Sequence, residues 1–234
     1  MDNAQLQEQF RTLSTPLLAD ACLRLQLPMR LAPPGIRPLI PTKFAGRALP
    51  VQHFGSVDIF MEALEAAQTG DVMVIDNANR QDEACIGDLT VLEVQLAGLQ
   101  GIVLWGYHRD TAELLEIGFP VFSCGAYPAG PRRLDNRTPD ALTVARMDDL
   151  AVRREDIVFA DLDGVLFVQA DQVEQVLAAA VVIWERERRQ AEAIRGGKSL
   201  RDQLHFRDYL KSRAENPAYS LREHLTKIGG AIEV

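Results

Sequence analysis

The sequence predicts an α/β domain built on a mostly parallel sheet, and three observations lead there. Residues 72–75, 102–105 and 121–123 are short, mainly apolar runs of the kind that fill a sheet covered on both faces. Helix-length segments separate them, and strand–helix–strand alternation makes the neighbouring strands parallel. With 234 residues, 47% hydrophobic and 25% charged, the chain can bury one substantial core and has an ordinary globular composition.

In chain order, residues 17–25 read as a short helix, with Ser14 or Thr15 as cap and Pro16 in the first turn. The proline-rich stretch 28–41 must be irregular or extended. Residues 45–52 are a candidate strand. Residues 59–68 are expected to be helical, capped by Asp58 and stopped by Gly70. After the strand at 72–75, residues 84–99 contain a helix broken near Gly87. The strand at 102–105 precedes a helix over 111–117, where Asp110 followed by Glu113 resembles a capping box. Residues 121–123 are the third strand of the series. Beyond it, 142–146, 157–160 and 165–169 read as strands, the last two joined by a turn at Asp163 and Gly164. Asp171 is expected to cap a long amphipathic helix running to about residue 193, before Gly196 and Gly197. The body is therefore taken as 1–196 and the remainder, 197–234, as an arm packing on the body or on a neighbouring subunit. Its helical signals over 200–213 are weak, and its apolar content is too low for a core of its own.

A formal charge of −8 argues against a nucleic-acid partner bound through a basic surface, and against docking to an anionic membrane. Cys22, Cys85 and Cys124 are scattered and make no disulfide ladder or zinc spacing. The polar start of the chain and the lack of a long apolar stretch predict a cytoplasmic protein.

The chemistry-bearing residues cluster around two loops. Gly87 and Asp88 open one helix; Gly106, Arg109 and Asp110 follow the next strand. Each aspartate alone reads as a helix N-cap. Together they are more demanding, because segments returning to one sheet edge set such loops side by side. Two carboxylates suit a hard divalent cation, and a guanidinium grips a carboxylate. Gly87 and Gly106 permit close backbone approach, and amides at the start of the helix after Asp88 attract an anion. This combination suits stabilisation of negative charge on a small oxo acid.

Other motifs carry less. Asp161, Asp163 and Gly164 lack the spacing of a calcium loop and read as a turn. Gly197, Lys198 and Ser199 mimic the end of a phosphate loop, but Glu192 stands where its first glycine belongs. His108 reads as a loop histidine, with proton shuttling as the alternative. His53, His205 and His224 carry no signal, Cys85 and Cys124 read as buried thiols, and 185–189 as a solvated helix face.

Gly87 and Asp88, then twenty residues, then Arg109 and Asp110 resemble the signature of the RraA-like family. Residues 70–76 (GDVMVID), 118–122 (GFPVF) and 155–165 (EDIVFADLDGV) resemble it too, and the similarity runs from Ser14 to Arg195. The enzymatic branch of that family contains the class II 4-hydroxy-4-methyl-2-oxoglutarate / 4-carboxy-4-hydroxy-2-oxoadipate aldolases. The resemblance implies a three-layer β/β/α domain of the swivelling type with a helical C-terminal arm, assembled as a homotrimer or homohexamer. It implies Mg²⁺ or Mn²⁺ held directly by Asp110 and through water by Asp88. Arg109 would clamp the carboxylate of a pyruvate-like substrate, helped by main-chain amides around Gly87, Asp88, Leu89 and Thr90. The implied activity is retro-aldol cleavage or decarboxylation of a 2-oxo di- or tricarboxylic acid through a pyruvate enolate, with the ion as Lewis acid.

One departure bears on the aldol step. The aldolase branch carries a glutamate, in a Gly-Glu-Leu context, that reaches the neighbouring subunit's site. Here residues 197–200 are Gly-Lys-Ser-Leu, with Lys198 at that place. Either Asp202 or Glu192 substitutes, or the reaction differs. A non-enzymatic regulator of the RraA type, binding a ribonuclease or another protein, is the alternative; Asp110 and the long arm lean towards the enzyme. A methyltransferase, a label sometimes attached to the family, would need a glycine-rich nucleotide loop that the chain lacks.

Overall fold

The computed structural model describes residues 1–229. It begins with a helix that the sequence reading did not anticipate, α1 (Asn3–Phe10). Asp2 and Gln5 close a capping box at its start, and Asn3, Leu6 and Phe10 make a single buried face. In so short a helix that face shows only three positions, too few for a periodic signal. The next helix, α2 (Thr15–Arg24), starts earlier than expected. Ser14 caps nothing with its side chain; Asp161 instead accepts from the Thr15 N–H at 2.8 Å and from the Thr15 hydroxyl at 2.6 Å.

The chain then forms β1 (Arg37–Pro38), β2 (Phe44–Gln52), α3 (Asp58–Glu65) and β3 (Val72–Asp76). Val57, not Asp58, occupies the cap position of α3, and the helix stops at Ala66, ahead of Gly70. The start of the expected helix at 84–99 is a strand, β4 (Ala84–Ile86), and α4 (Asp88–Leu96) begins only after Gly87. Three apolar residues show no period, so strand and helix lead-in look alike in sequence.

There follow β5 (Gly101–Trp105), β6 (Tyr107–His108), α5 (Thr111–Ile117), β7 (Val121–Ser123), β8 (Val144–Met147), β9 (Leu150–Arg153), β10 (Asp156–Asp161) and β11 (Gly164–Gln169). The short strands β6 and β9 carry no signal in the sequence; β10 and β11 form the expected hairpin. The long helix α6 (Val173–Arg195) has Gln172, not Asp171, at its cap position.

Strands β7, β5, β3 and β2 lie side by side in parallel. Antiparallel β1 closes one edge, and antiparallel β10 and β11 extend the other. Alternation sends Met73 and Ile75 towards α3, α4 and α5, while Val72 and Val74 face the β8–β9 ribbon. Ile157, Phe159, Leu166 and Val168 pack against α1, α2 and α6. Helices thus cover one face and a β-ribbon the other, in the β/β/α layering expected.

After α6 come α7 (Leu200–Gln203), α8 (Phe206–Glu215) and α9 (Leu221–Ile228). This arm buries Leu204, Tyr209, His224 and Leu225, with His224 Nε2 2.9 Å from the Leu204 carbonyl. Residues 230–234 of the expected arm lie outside the described residues. No described helix is long and apolar enough to cross a membrane.

Helix α1 is part of the core, since the fully buried Phe10 ring meets Phe159 edge-on at 5.1 Å. Phe10→Ala should therefore destabilise the fold by about 3–5 kcal/mol, read as a shift of the urea midpoint at unchanged slope.

Candidate active site

The site is assembled by a small parallel pairing, separate from the main sheet, whose second strand follows directly on β5. β4 and β6 run side by side, with Ala84 opposite Tyr107 and Ile86 opposite His108. The pairing continues one residue further, where the Arg109 N–H donates to the Ile86 carbonyl at 3.0 Å. Gly87 and Asp88, directly after β4, therefore lie beside Arg109 and Asp110, directly after β6. A third segment flanks them: His108 donates to the Gly125 carbonyl at 3.0 Å, and Tyr127 donates to the His108 carbonyl at 2.8 Å.

Asp110 is positioned by an uncommon backbone. It stands at the N-cap of α5 with φ 58° and ψ 42°, a left-handed conformation that aspartate tolerates better than most residues. Its carboxylate makes no capping hydrogen bond, so the capping-box expectation fails here. The carboxylate turns instead towards the neighbouring loop, where its Oδ2 lies 3.4 Å from the Asp88 amide nitrogen and 3.5 Å from Arg109 Nε. Gly87 makes that approach possible, because a Cβ there would stand 2.2 Å from Asp110 Oδ2.

Asp88 lies half-buried in the first turn of α4, its Oδ1 accepting from the Leu89 N–H at 2.7 Å. The first internal bond of this helix runs from the Val91 N–H to the Gly87 carbonyl, so the Leu89 and Thr90 amides precede it. Gly106 serves another purpose than the one expected. A Cβ on it would lie 2.9 Å from the Cβ of Asn77, so its smallness accommodates packing behind the site.

His108 is buried, with Nδ1 2.7 Å from the Ser123 hydroxyl and Nε2 3.1 Å from the Thr111 hydroxyl. Both ring nitrogens are engaged, and burial pushes its pKa below the usual histidine value. It braces β6 against β7 and α5. Burial also raises the pKa of the Cys85 and Cys124 thiols and holds them in the inert protonated form. Asp161, tempting as a metal ligand in sequence, is occupied by Thr15 and by the Asp163 N–H at 3.0 Å.

Sequence reasoning missed a buried polar cluster just upstream of Gly87. The Glu83 carboxylate, 3% exposed, accepts from Arg133 Nε at 3.1 Å and from Arg133 Nη2 at 2.8 Å. Arg133 Nη2 also donates to Asn77 Oδ1 at 3.0 Å, the same atom that lies 2.8 Å from His53 Nδ1. Burial lowers the His53 pKa, with the Asn77 hydrogen bond opposing. Fifty residues separate Glu83 from Arg133, so no local pattern could reveal the pair.

A divalent ion fits the donor set. Asp88 and Asp110 offer hard oxygen ligands, the Asp110 side chain is 35% exposed, and the Gly87 gap leaves its carboxylate unobstructed. Among the described residues no three His, Cys, Asp or Glu side chains converge as a metal cage. An ion here would rest on one or two carboxylates and keep most of its water, as Mg²⁺ commonly does.

Comparison with known proteins places this geometry in context. Residues 15–167 match the RraA-like family, described as Aldolase/RraA, a narrower span than the Ser14 to Arg195 expected. A Deinococcus radiodurans protein named "Putative 4-hydroxy-4-methyl-2-oxoglutarate aldolase" is 30% identical over 132 residues, 56% of this chain and 80% of that protein. Three other curated relatives are matched over only 21%, 60% and 56% of their own lengths. A solved structure of an uncharacterized Pseudomonas syringae protein aligns with a TM-score of 0.74 and 25% identity, over 85% of this chain and 96% of that one. That of Streptomyces coelicolor RraAS2, titled an unusual member of the RNase ES inhibitor RraA protein family, aligns at 0.67 and 23% identity, over 81% and 98%.

Two of the buried histidines, His53 and His108, give the fold a pH dependence. Both have pKa values below those of the unfolded chain, so the unfolded chain binds protons first as pH falls. Stability should be full above about pH 6.5 and decline below it, ahead of the carboxylate range. Thermal melts between about pH 8 and 5 should trace that decline, and His108→Gln should shallow it.

Proposed function

Because the chain belongs to the RraA-like family, we propose that it is a divalent-metal-dependent lyase acting on a small 2-oxo acid. The reaction is carbon–carbon cleavage of a 2-oxo di- or tricarboxylic acid, by retro-aldol scission, by decarboxylation, or by both. The observation that carries this reading is the β4–β6 pairing. It sets two carboxylates, an arginine and a helix start side by side, with Asp110 Oδ2 3.4 Å from the Asp88 amide.

Each residue has a role that its surroundings support. Arg109, its side chain half exposed, binds and orients the substrate carboxylate. The Leu89 and Thr90 amides at the start of α4 assist, the former by exchanging Asp88 Oδ1 for the substrate. Asp110 would hold Mg²⁺ or Mn²⁺ directly and Asp88 would hold it through water; when bound, the ion would supply Lewis acidity. Asp88 Oδ2 takes the hydroxyl proton of an aldol substrate through water, or returns a proton to the product carbon.

The working unit in this reading is a homotrimer or homohexamer. Leu89, Leu92 and Leu96 on α4 and Leu115 on α5 are 73%, 43%, 82% and 51% exposed beside the opening, an apolar patch suited to a neighbouring copy. Lys198 is exposed in the turn between α6 and α7, while Asp202 accepts from the Ser199 hydroxyl at 2.6 Å and Glu192 is exposed on α6. Glu192 is thus the freer of the two possible substitutes. Decarboxylation depends on it less than aldol cleavage does.

The test is turnover of oxaloacetate and of 4-hydroxy-4-methyl-2-oxoglutarate with Mg²⁺ or Mn²⁺, with and without EDTA. Oxaloacetate turnover should be abolished by EDTA and by Asp110→Asn. Arg109→Met should raise KM by about 10- to 100-fold, the worth of roughly 1.5–3 kcal/mol for a charged hydrogen bond. Absence of any EDTA-sensitive turnover, with no metal in the purified protein, would favour a protein-binding regulator instead.

A further inference from the structure

We infer that Glu83 and Arg133 are positioning residues for Arg109, acting through a slot between Gly87 and Gly130 in which the Arg109 guanidinium lies. The proposal rests on the reading of Arg109 as the substrate clamp.

The slot is defined by what would enter it. A Cβ on Gly87 would come within 3.2 Å of Arg109 Nε, and one on Gly130 within 3.2 Å of Arg109 Nη1. Among the described residues, the chain neighbours of Gly130 aside, nothing else lies within 4 Å of that Cβ position apart from Arg109 Cζ. The guanidinium therefore runs between two backbone walls, and their separation decides where it can point. Among the described residues its ionic partner is the adjacent Asp110, at 3.5 Å, and that contact alone does not fix a long side chain.

Both walls are tied to the same buried ion pair. Glu83 begins the segment that leads through β4 to Gly87, and Arg133 lies three residues beyond Gly130. Between these points the Ala84 N–H donates to the Ala129 carbonyl at 2.8 Å, joining the two segments next to the pair. Arg133 grips Glu83 with both Nε and Nη2 and reaches Asn77 with the latter. Its Nη1 pairs with Asp135, so every edge of the guanidinium is engaged. Such a pair is planar and fixed in direction, which a lysine could not reproduce. Loosening it would let the 129–133 segment move away from β4, widen the slot and release Arg109 into several rotamers.

The variants Arg133→Met, Glu83→Gln/Arg133→Met and Gly130→Ala test this with oxaloacetate and Mg²⁺. The double variant removes both charges, so no buried carboxylate is left unpaired. Gly130→Ala is the cleanest probe, since Gly130 is not left-handed and precedes Pro131, whose neighbour is extended for any residue. The expected result is a rise of about tenfold or more in KM with kcat within about threefold, and unchanged melting for Gly130→Ala. In an Arg109→Met background the same changes should add no further rise, because their effect passes through the missing guanidinium. An unchanged KM in the double variant and Gly130→Ala, or an equal rise in the Arg109→Met background, would overturn the proposal. An inactive wild-type protein would instead remove the reading of Arg109 on which it stands.

Discussion

Everything at the candidate site depends on a parallel pairing only a few residues long. β4 and β6 share two Cα registers and one further hydrogen bond, from Arg109 to Ile86. A slip of one residue would turn each side chain to the opposite face. Arg109 and Asp110 would then no longer meet Gly87 and Asp88. So short a ladder has little stability of its own, since isolated two-stranded units are marginal in water. It holds because its neighbours are anchored: the residue before β4 is the clamped Glu83, and His108 in β6 is braced by Ser123 and Thr111.

Buried acids serve as anchors elsewhere in the molecule, and in each case they tie remote segments together. Asp161 holds the start of α2 to the β10–β11 hairpin. Asp156 accepts from Arg30 and from the Arg153 N–H, linking the proline-rich stretch to the β9–β10 turn. Asp76, at the end of β3, accepts from the Ala78 and Arg146 amides at 2.8 and 3.1 Å. A buried carboxylate that lost such donors would carry a cost of about 1–3 kcal/mol or more, so these bonds specify the arrangement as much as they stabilise it. Glu83 belongs to the same group, and the difference is its place just before β4 and the candidate site.

The parallel core was legible in the sequence because its strands are buried on both faces and read as unbroken apolar runs. Residues 72–75 and 102–105 fall inside β3 and β5 for that reason. The signals that failed were local ones overridden by partners far along the chain. Ser14 has the chemistry of a cap, but Asp161 reaches Thr15 first. Residues 84–86 look like the start of a helix, yet the backbone of β6 claims them as a strand. In the candidate site, Asp88, Arg109 and Asp110 stood out through residue type and loop position. Glu83 and Arg133 did not, because an acid and an arginine fifty residues apart resemble any surface pair until the fold closes around them.

The left-handed backbone of Asp110 shows how local chemistry was set aside for the site. An aspartate followed three residues later by a glutamate is a strong capping signal, and a helix gives up about 1 kcal/mol when its cap is not used. Here the cap position is filled and the cap bond is absent. The left-handed conformation, itself costly for a residue with a side chain, turns the carboxylate away from the α5 amides and towards Gly87. Neither cost returns anything to the stability of α5. Strain of this kind persists only where the surroundings over-determine it, as the His108 and Ile86 contacts do on the preceding residues. The carboxylate is thus withheld from its own helix and faces Gly87 and the Asp88 amide instead.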